Sequence, residues 1–222
     1  MGSRSGFFSP AKSGAMQSAP LGLAAKRMTD IILASFALLI LWPLLLVIAA
    51  LVATDGGPIL YRHRRVGKDG VSFDCLKFRT MILGATECLD EYLAYHPAER
   101  TEWESTRKLR FDPRTTAIGR VLRKMSMDEL PQFFNVLTGD MSLVGPRPVT
   151  PPELAFYGEK AELYRSVRPG ITGLWQISGR NDVSYDERVA LDAAFVREQG
   201  FWRDLVILLQ TPRVVLSRTG AR

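Results

Sequence analysis

Apolar and polar positions divide this 222-residue chain into unlike stretches. Residues 1–22 are rich in Gly, Ser, Ala and Pro without helical periodicity, which predicts a mobile arm. Lys26, Arg27 and Asp30 follow, and then an uncharged apolar run over 31–53. At about 1.5 Å per residue the run makes roughly 34 Å of helix, enough to cross a bilayer. It is too long, and starts too far into the chain, for a signal-peptide core. A buried helix of a soluble protein is the other reading. Pro43, preceded by Trp42, lies mid-run, where proline removes a backbone hydrogen bond and bends a helix. Basic residues flank both ends: Lys26 and Arg27 before, and Arg62, Arg64, Arg65 and Lys68 after. Positive charge prefers the cytoplasmic side, so a straight span puts one cluster on the wrong side. A helix broken at Trp42 and Pro43 dips into one leaflet and returns. The residues alone leave this re-entrant hairpin and a single kinked span open. The division expected is an arm over 1–22, a membrane helix over 23–54 and a catalytic domain over 55–222.

The remainder alternates short strands and amphipathic helices. Ile59-Leu60-Tyr61 reads as a short strand, and 71–78 as its partner across a Lys68-Asp69-Gly70 turn. In a strand Lys77 and Arg79 point to one side, as a phosphate cradle or a solvated face. Residues 84–107 read as a charged helical insertion or lid, broken at His96-Pro97. Helical character over 118–124 places Arg120 and Arg123 on one face. A helix over 133–137 closes at Thr138-Gly139-Asp140. Further helices are expected over 153–167 and 185–198, and a strongly apolar one over 202–216, interrupted at Pro212. The last either lies in the membrane interface or packs on the domain. The fold class is α+β, mainly helical, with a small β-hairpin.

Charge narrows the partners. The net charge of +6 suits nucleic acid, anionic lipid or a phosphorylated substrate. Cys75 and Cys88, with His63 and His96, form neither a disulfide framework nor a zinc pattern. The chemistry concentrates in Arg123-Lys-Met-Ser-Met-Asp-Glu-Leu-Pro-Gln132, where Asp128 and Glu129 follow two cations. The rigid Gly145-Pro146-Arg147-Pro148 turn comes soon after. One carboxylate can attack phosphorus, the other can hold a metal, and arginines can absorb phosphate charge. Ser126 and Glu129 also spell a helix capping box, a purely structural reading. A glycine-rich loop runs from Arg168-Pro-Gly-Ile-Thr-Gly173 to Gly179-Arg-Asn181, a form that wraps ligands or merely turns.

Taken in order, Lys26-Arg27-x-x-Asp30, the proline-broken run, Arg65-x-Gly67, Lys77-Phe-Arg-Thr-Met81, Asp112-Pro-Arg114, Asp128-Glu-Leu-Pro-Gln132, Gly139-Asp-Met-Ser142 and Gly145-Pro-Arg-Pro148 form one pattern. With the glycine-rich loop, it resembles the bacterial sugar transferases, monotopic polyprenyl-phosphate phosphoglycosyl transferases. Tyr61-Arg-His-Arg-Arg65 and Trp175-Gln-Ile-Ser-Gly-Arg-Asn-Asp-Val-Ser-Tyr185 look most like the galactose-phosphate transferases of exopolysaccharide synthesis. The resemblance implies transfer of a sugar-1-phosphate, galactose or glucose, from a UDP-sugar to undecaprenyl phosphate, with release of UMP. It implies Asp128 as nucleophile in a phosphosugar-aspartyl intermediate and Glu129, beside Asp128, at Mg²⁺. Arg123 and Arg147 would bind phosphate. Lys77, Arg79, Arg114, Arg168 and Arg180 are the other candidate phosphate-binding residues. It implies a re-entrant anchor in the inner membrane with interfacial helices, a catalytic domain facing the cytoplasm, and no nucleic-acid partner; a homo-oligomer is left open. Two positions depart from the family pattern: Trp42 replaces a common Ser, and His63 a common Gln. A membrane-anchored UDP-sugar hydrolase and a non-enzymatic basic membrane adaptor are the alternatives.

Overall fold

The computed structural model describes residues 20–106, 109–178 and 184–216. Of the arm expected over 1–22, residues 1–19 lie outside this description, and Pro20 already opens a helix. Proline suits that first-turn position because its missing N–H would be unpaired there anyway. The helix, α1 (Pro20–Ala53), continues through Pro43 and carries the whole apolar run. It is long and apolar enough to cross a membrane, and only 11% of its most apolar window is buried. That exposure argues against the soluble core helix: Phe36, Leu39, Ile40, Trp42 and Leu46 all face outward.

Polar groups fasten α1 at both ends. Near the start, Arg27 donates to the carbonyls of Val136 and Leu137 at 2.7 and 3.1 Å. Lys26 pairs with Asp204. Buried Asp30 accepts from the Ser142 hydroxyl at 2.8 Å and the Leu143 N–H at 3.1 Å. At the far end Arg79 donates to the Val52 carbonyl at 3.1 Å and the Pro58 carbonyl at 2.6 Å, and pairs with Asp55. A guanidinium on the last carbonyls satisfies acceptors that the helix leaves open. Ile48 and Val52 pack there with Phe78 and Leu122.

The hairpin forms as expected, but β1 (Leu60–Val66) is longer than read and absorbs the basic cluster. It pairs antiparallel with β2 (Ser72–Phe78), with Tyr61 opposite Lys77 and His63 opposite Cys75. The connecting turn holds Asp69 at φ 56° and Gly70 at φ 76°, the left-handed conformation that an Asp-Gly pair tolerates. Two helices, α2 (Ala85–Tyr95) and α3 (Pro97–Thr106), follow and break at His96 as read. Next come α4 (Ala117–Lys124) and α5 (Gln132–Thr138), the latter ended by Gly139 at φ 94°.

A second, parallel pair was not visible in the sequence: β3 (Ser142–Val144) beside β4 (Gly170–Thr172). These three-residue strands are too short to show a period. The helix expected over 153–167 divides into α6 (Pro151–Leu154), a tight turn, and α7 (Ala161–Arg165). Gly158, at φ 50° and ψ −127°, lies outside helical geometry and breaks it. The chain then forms α8 (Leu174–Ile177), α9 (Tyr185–Arg197) and α10 (Phe201–Leu216). Pro212 lies within α10 and does not interrupt it. The neighbouring Thr211 hydroxyl bonds Thr172 at 2.8 Å, and Ile207 is fully buried, so packing holds the helix past the proline. Phe73, Cys75, Val136, Met141, Leu143, Val144, Leu174, Phe195 and Ile207 join Ala34 of α1 in the main core.

Replacing Asp30 with Ala strands the Leu143 N–H in the interior and leaves the Ser142 hydroxyl only the Val144 carbonyl, 3.0 Å away. The expected loss is about 1–3 kcal/mol of stability, with Asn recovering part of it, read by chemical denaturation in detergent.

Candidate active site

The carboxylate pair sits between α4 and α5. Thr116 caps α4 by accepting from the Gly119 N–H at 2.8 Å. A Cβ on Gly119 would lie 2.1 Å from the Thr80 carbonyl oxygen, so only glycine lets α4 approach the end of β2 this closely. That approach lets Arg123 reach the hydroxyls of Thr80 at 2.9 Å and Thr115 at 3.2 Å. After α4 the chain reverses through Ser126 at φ 56° into a single tight turn over Met127–Glu129. The Ser126–Glu129 capping box does not form, because Ser126 adopts the left-handed conformation and its side chain makes no cap bond. Glu129 turns instead to Lys77, whose ammonium donates to it at 2.6 Å.

Asn135 fixes this turn against the hairpin. It accepts from the Leu76 N–H at 2.9 Å and donates to the Asp74 carbonyl at 2.8 Å, stitching α5 to β2. The sequence reading passed over this residue. Its signal was a lone amide inside the apolar stretch Phe133-Phe134-Asn135-Val136-Leu137.

Arg147 stands on a turn that backbone contacts hold in place. A Cβ on Gly145 would lie 2.5 Å from the Arg168 carbonyl oxygen, and one on Gly173 2.2 Å from that of Gly145. Arg147 itself is exposed, with its guanidinium carbon 5.5 Å from the centre of the buried Trp175 ring. Arg188 approaches the same ring at 4.9 Å. A further cation, named in the sequence only within the basic cluster and the Arg65-x-Gly67 motif, is Arg65, which is nine-tenths buried, donates to Glu153 at 2.8 Å and lies 3.2 Å from His63 Nδ1.

These charges separate two adjacent carboxyls. Burial raises the Asp128 pKa above the usual carboxylate value and the charge of Glu129 adds to this, while Lys77 and Arg123 offset only part. Burial would raise Glu129 too, but the charge and hydrogen bond of Lys77, with Arg147 and Arg65, hold it below its ordinary value. One carboxylate is therefore firmly ionised and its neighbour is more basic, a division of roles typical of paired catalytic carboxyls.

Of the residues expected at the site, the fold brings together Asp128, Glu129, Lys77, Arg123 and Arg147. Arg79 faces α1 instead, because β2 ends at Phe78 and strand alternation stops before it. Arg114 is held by Asp112 at 2.8 and 2.7 Å and covers the Trp103 ring at 4.8 Å. Arg168 donates to the Gly139 carbonyl at 2.6 Å. Arg180 lies outside the described residues, and Trp42 and Pro43 are exposed on α1.

Among the described residues, one long apolar helix is fastened at both ends to a domain whose carboxylate pair lies near Lys77, Arg123 and Arg147. The chain belongs to the bacterial sugar transferase family, which matches residues 21–218. It is 53% identical to the exopolysaccharide production protein ExoY of Rhizobium meliloti, over 96% of this chain and 94% of that one. It is 51% identical to the undecaprenyl-phosphate galactose phosphotransferase of Salmonella typhimurium, over 88% of this chain and 41% of that protein. It is also 48% identical to the UDP-galactose-lipid carrier transferase of Erwinia amylovora, over 88% and 41% respectively.

The raised pKa has a consequence for stability. A carboxyl whose pKa rises on folding favours the folded state at low pH and opposes it once ionised, so Asp128 opposes folding at neutral pH. Asp128→Asn is expected to melt at or above the wild-type temperature. A drop matching the loss of a helix cap, about 1 kcal/mol, would mark the residue as structural.

Proposed function

We propose that this protein transfers galactose-1-phosphate from UDP-galactose to undecaprenyl phosphate, releasing UMP, as the first membrane step of exopolysaccharide synthesis. The observation that carries the reading is the Asp128–Glu129 turn held against Lys77, with the charges of Arg123 and Arg147 acting on it. The names of the Salmonella and Erwinia relatives support galactose and the lipid carrier.

In the proposed mechanism an Asp128 carboxylate oxygen attacks the β-phosphorus of the donor. The bond from that phosphorus to the bridging oxygen breaks, and UMP leaves with its electron pair. A phosphosugar-aspartyl ester results. A phosphate oxygen of the lipid then attacks the same phosphorus and expels the Asp128 carboxylate, giving the lipid diphosphosugar. Splitting one displacement into two suits a nucleophile already more basic than usual. Lys77, Arg123 and Arg147 stabilise charge on the transferring and leaving phosphates without reorganising.

Mg²⁺ fits this donor set. Magnesium commonly takes one or two protein carboxylates and completes its shell with water and substrate phosphates. Glu129 is held ionised, and Lys77 contacts one of its oxygens, Oε1. Glu129 would hold the ion, with Asp128 beside it. When bound, the ion neutralises charge on the diphosphate.

The anchor reading follows from the fastenings of α1. Asp30 and Val52 are both buried against the same domain. A helix that crossed the bilayer could dock only one end there. We read α1 as re-entrant, bending in lipid near Pro43, with both ends and the domain on the cytoplasmic side of the inner membrane. The exposed Trp202 and Leu209 of α10 support an interfacial position for that helix.

UMP release is to be measured with a panel of UDP-sugars and Mg²⁺, with and without undecaprenyl phosphate. Lipid-dependent release with UDP-galactose is expected. Release without lipid would indicate a hydrolase, and silence from folded protein would favour an adaptor. Asp128→Ala should abolish transfer while the protein stays folded, and mass spectrometry of the wild type should find the phosphosugar on Asp128. Because the ionised form attacks, the rate should fall as pH drops through the raised Asp128 pKa, an acid limb above that of an ordinary aspartate. Cysteines placed at residue 22 and just after Asp55 should label from the same side, whereas opposite sides would mean a true span.

A further inference from the structure

His63 lies at the centre of β1, and the antiparallel register puts Tyr61 opposite Lys77, His63 opposite Cys75 and Arg65 opposite Phe73. Opposed residues and alternate residues share a face, so Tyr61, His63, Arg65 and Lys77 lie on one side of the hairpin. Lys77 identifies that side as the active-site side, because its ammonium holds Glu129.

The His63 ring is locked. Its Nδ1 lies 3.2 Å from a terminal nitrogen of Arg65. A guanidinium only donates, so Nδ1 accepts and the ring proton sits on Nε2. Arg65 is itself fixed by Glu153, which takes hydrogen bonds from the Thr150 N–H and hydroxyl at 2.7 and 2.9 Å. The Tyr61 ring meets the imidazole edge-on, with centroids 5.6 Å apart. The two nitrogens occupy opposite edges of the ring. With Nδ1 toward Arg65, Nε2–H is turned away from Arg65 and meets no acceptor among the described residues. Half-burial, then the charges of Arg65 and Lys77 with Arg147 behind them, keep the ring neutral; Glu153 opposes them only in part.

We propose that His63 is a binding residue whose Nε2–H donates to an uncharged oxygen of the nucleotide-sugar, a sugar hydroxyl or a uridine oxygen. This rests on the transferase reading above. The donor's phosphates are drawn to the neighbouring cations, whereas a neutral, tautomer-fixed N–H suits a hydroxyl or carbonyl. A site built around such a bond discriminates strongly between substrates that have the oxygen and those that lack it.

The test compares full-length wild type, His63→Leu and His63→Gln in detergent with undecaprenyl phosphate. Leucine removes the donor at similar volume, and glutamine restores an N–H. His63→Leu is expected to raise KM for the UDP-sugar about tenfold, the loss of one hydrogen bond, with KM for the lipid unchanged. His63→Gln should recover most of it. Inhibition by UDP distinguishes the two oxygens: inhibition unchanged in the Leu variant places the contact on the sugar, and inhibition weakened in parallel places it on uridine. An unchanged donor KM in a folded Leu variant, or equal losses in the Leu and Gln variants, would overturn the proposal. Calorimetric affinity for the UDP-sugar without lipid reads the same contact without turnover. A wild type that binds but does not transfer therefore fails the transferase reading alone.

Discussion

Everything in this structure depends on an apolar helix held at both ends by polar side chains of one domain. Lys26, Arg27 and Asp30 are groups that hydrocarbon penalises by several kcal/mol each, and here each has a partner on the domain. Asp30 bonds β3 at Ser142 and Leu143. Three residues on, the same strand has become the Gly145-Pro146-Arg147-Pro148 turn. The docking of α1 and the position of Arg147 are thus joined through a handful of backbone atoms. Arg79 performs the matching task at the other end, below the strand that carries Lys77. The anchoring of α1 and the placement of the site cations are therefore one structural problem rather than two.

Within that frame the site separates two neighbouring carboxyls by surroundings alone. Asp128 and Glu129 are adjacent on a tight turn, yet only Glu129 lies against an ammonium. The closeness of α4 to Thr80, permitted by Gly119, and the Asn135 bridge to β2 are what hold the turn in register with Lys77. Such support fixes the two carboxyls against Lys77 within the fold itself, a preorganisation that electrostatic catalysis can draw on.

Much of this was legible in the sequence, for local reasons. The apolar run, the Asp-Gly hairpin, the break at His96-Pro97 and the Gly139 stop are all written in consecutive residues. Asp128, Glu129, Arg123 and Arg147 stood out through the motifs around them. The misreadings are equally physical. Ser126 and Glu129 have capping-box spacing, but a left-handed Ser126 cannot present its hydroxyl as a cap. Arg79 looked like a second cradle residue because alternation was carried one position past the end of β2. Gly158 was read through as helix, and only tertiary packing reveals its non-helical conformation. The β3–β4 pair and the links from Arg65 to Glu153 and from Asn135 to β2 join residues distant in sequence, where local pattern is silent.

The distance along the chain between Lys26 and its partner Asp204 also bears on how the protein is made. The two are 178 residues apart. At roughly 5–20 residues per second, a ribosome needs on the order of ten to thirty seconds to travel from one to the other. During that interval the apolar helix is already available to lipid while its ammonium has no carboxylate to meet. Arg27 and Asp30 meet their partners at Val136, Leu137, Ser142 and Leu143 first, and Lys26 closes the docking last, when α10 emerges.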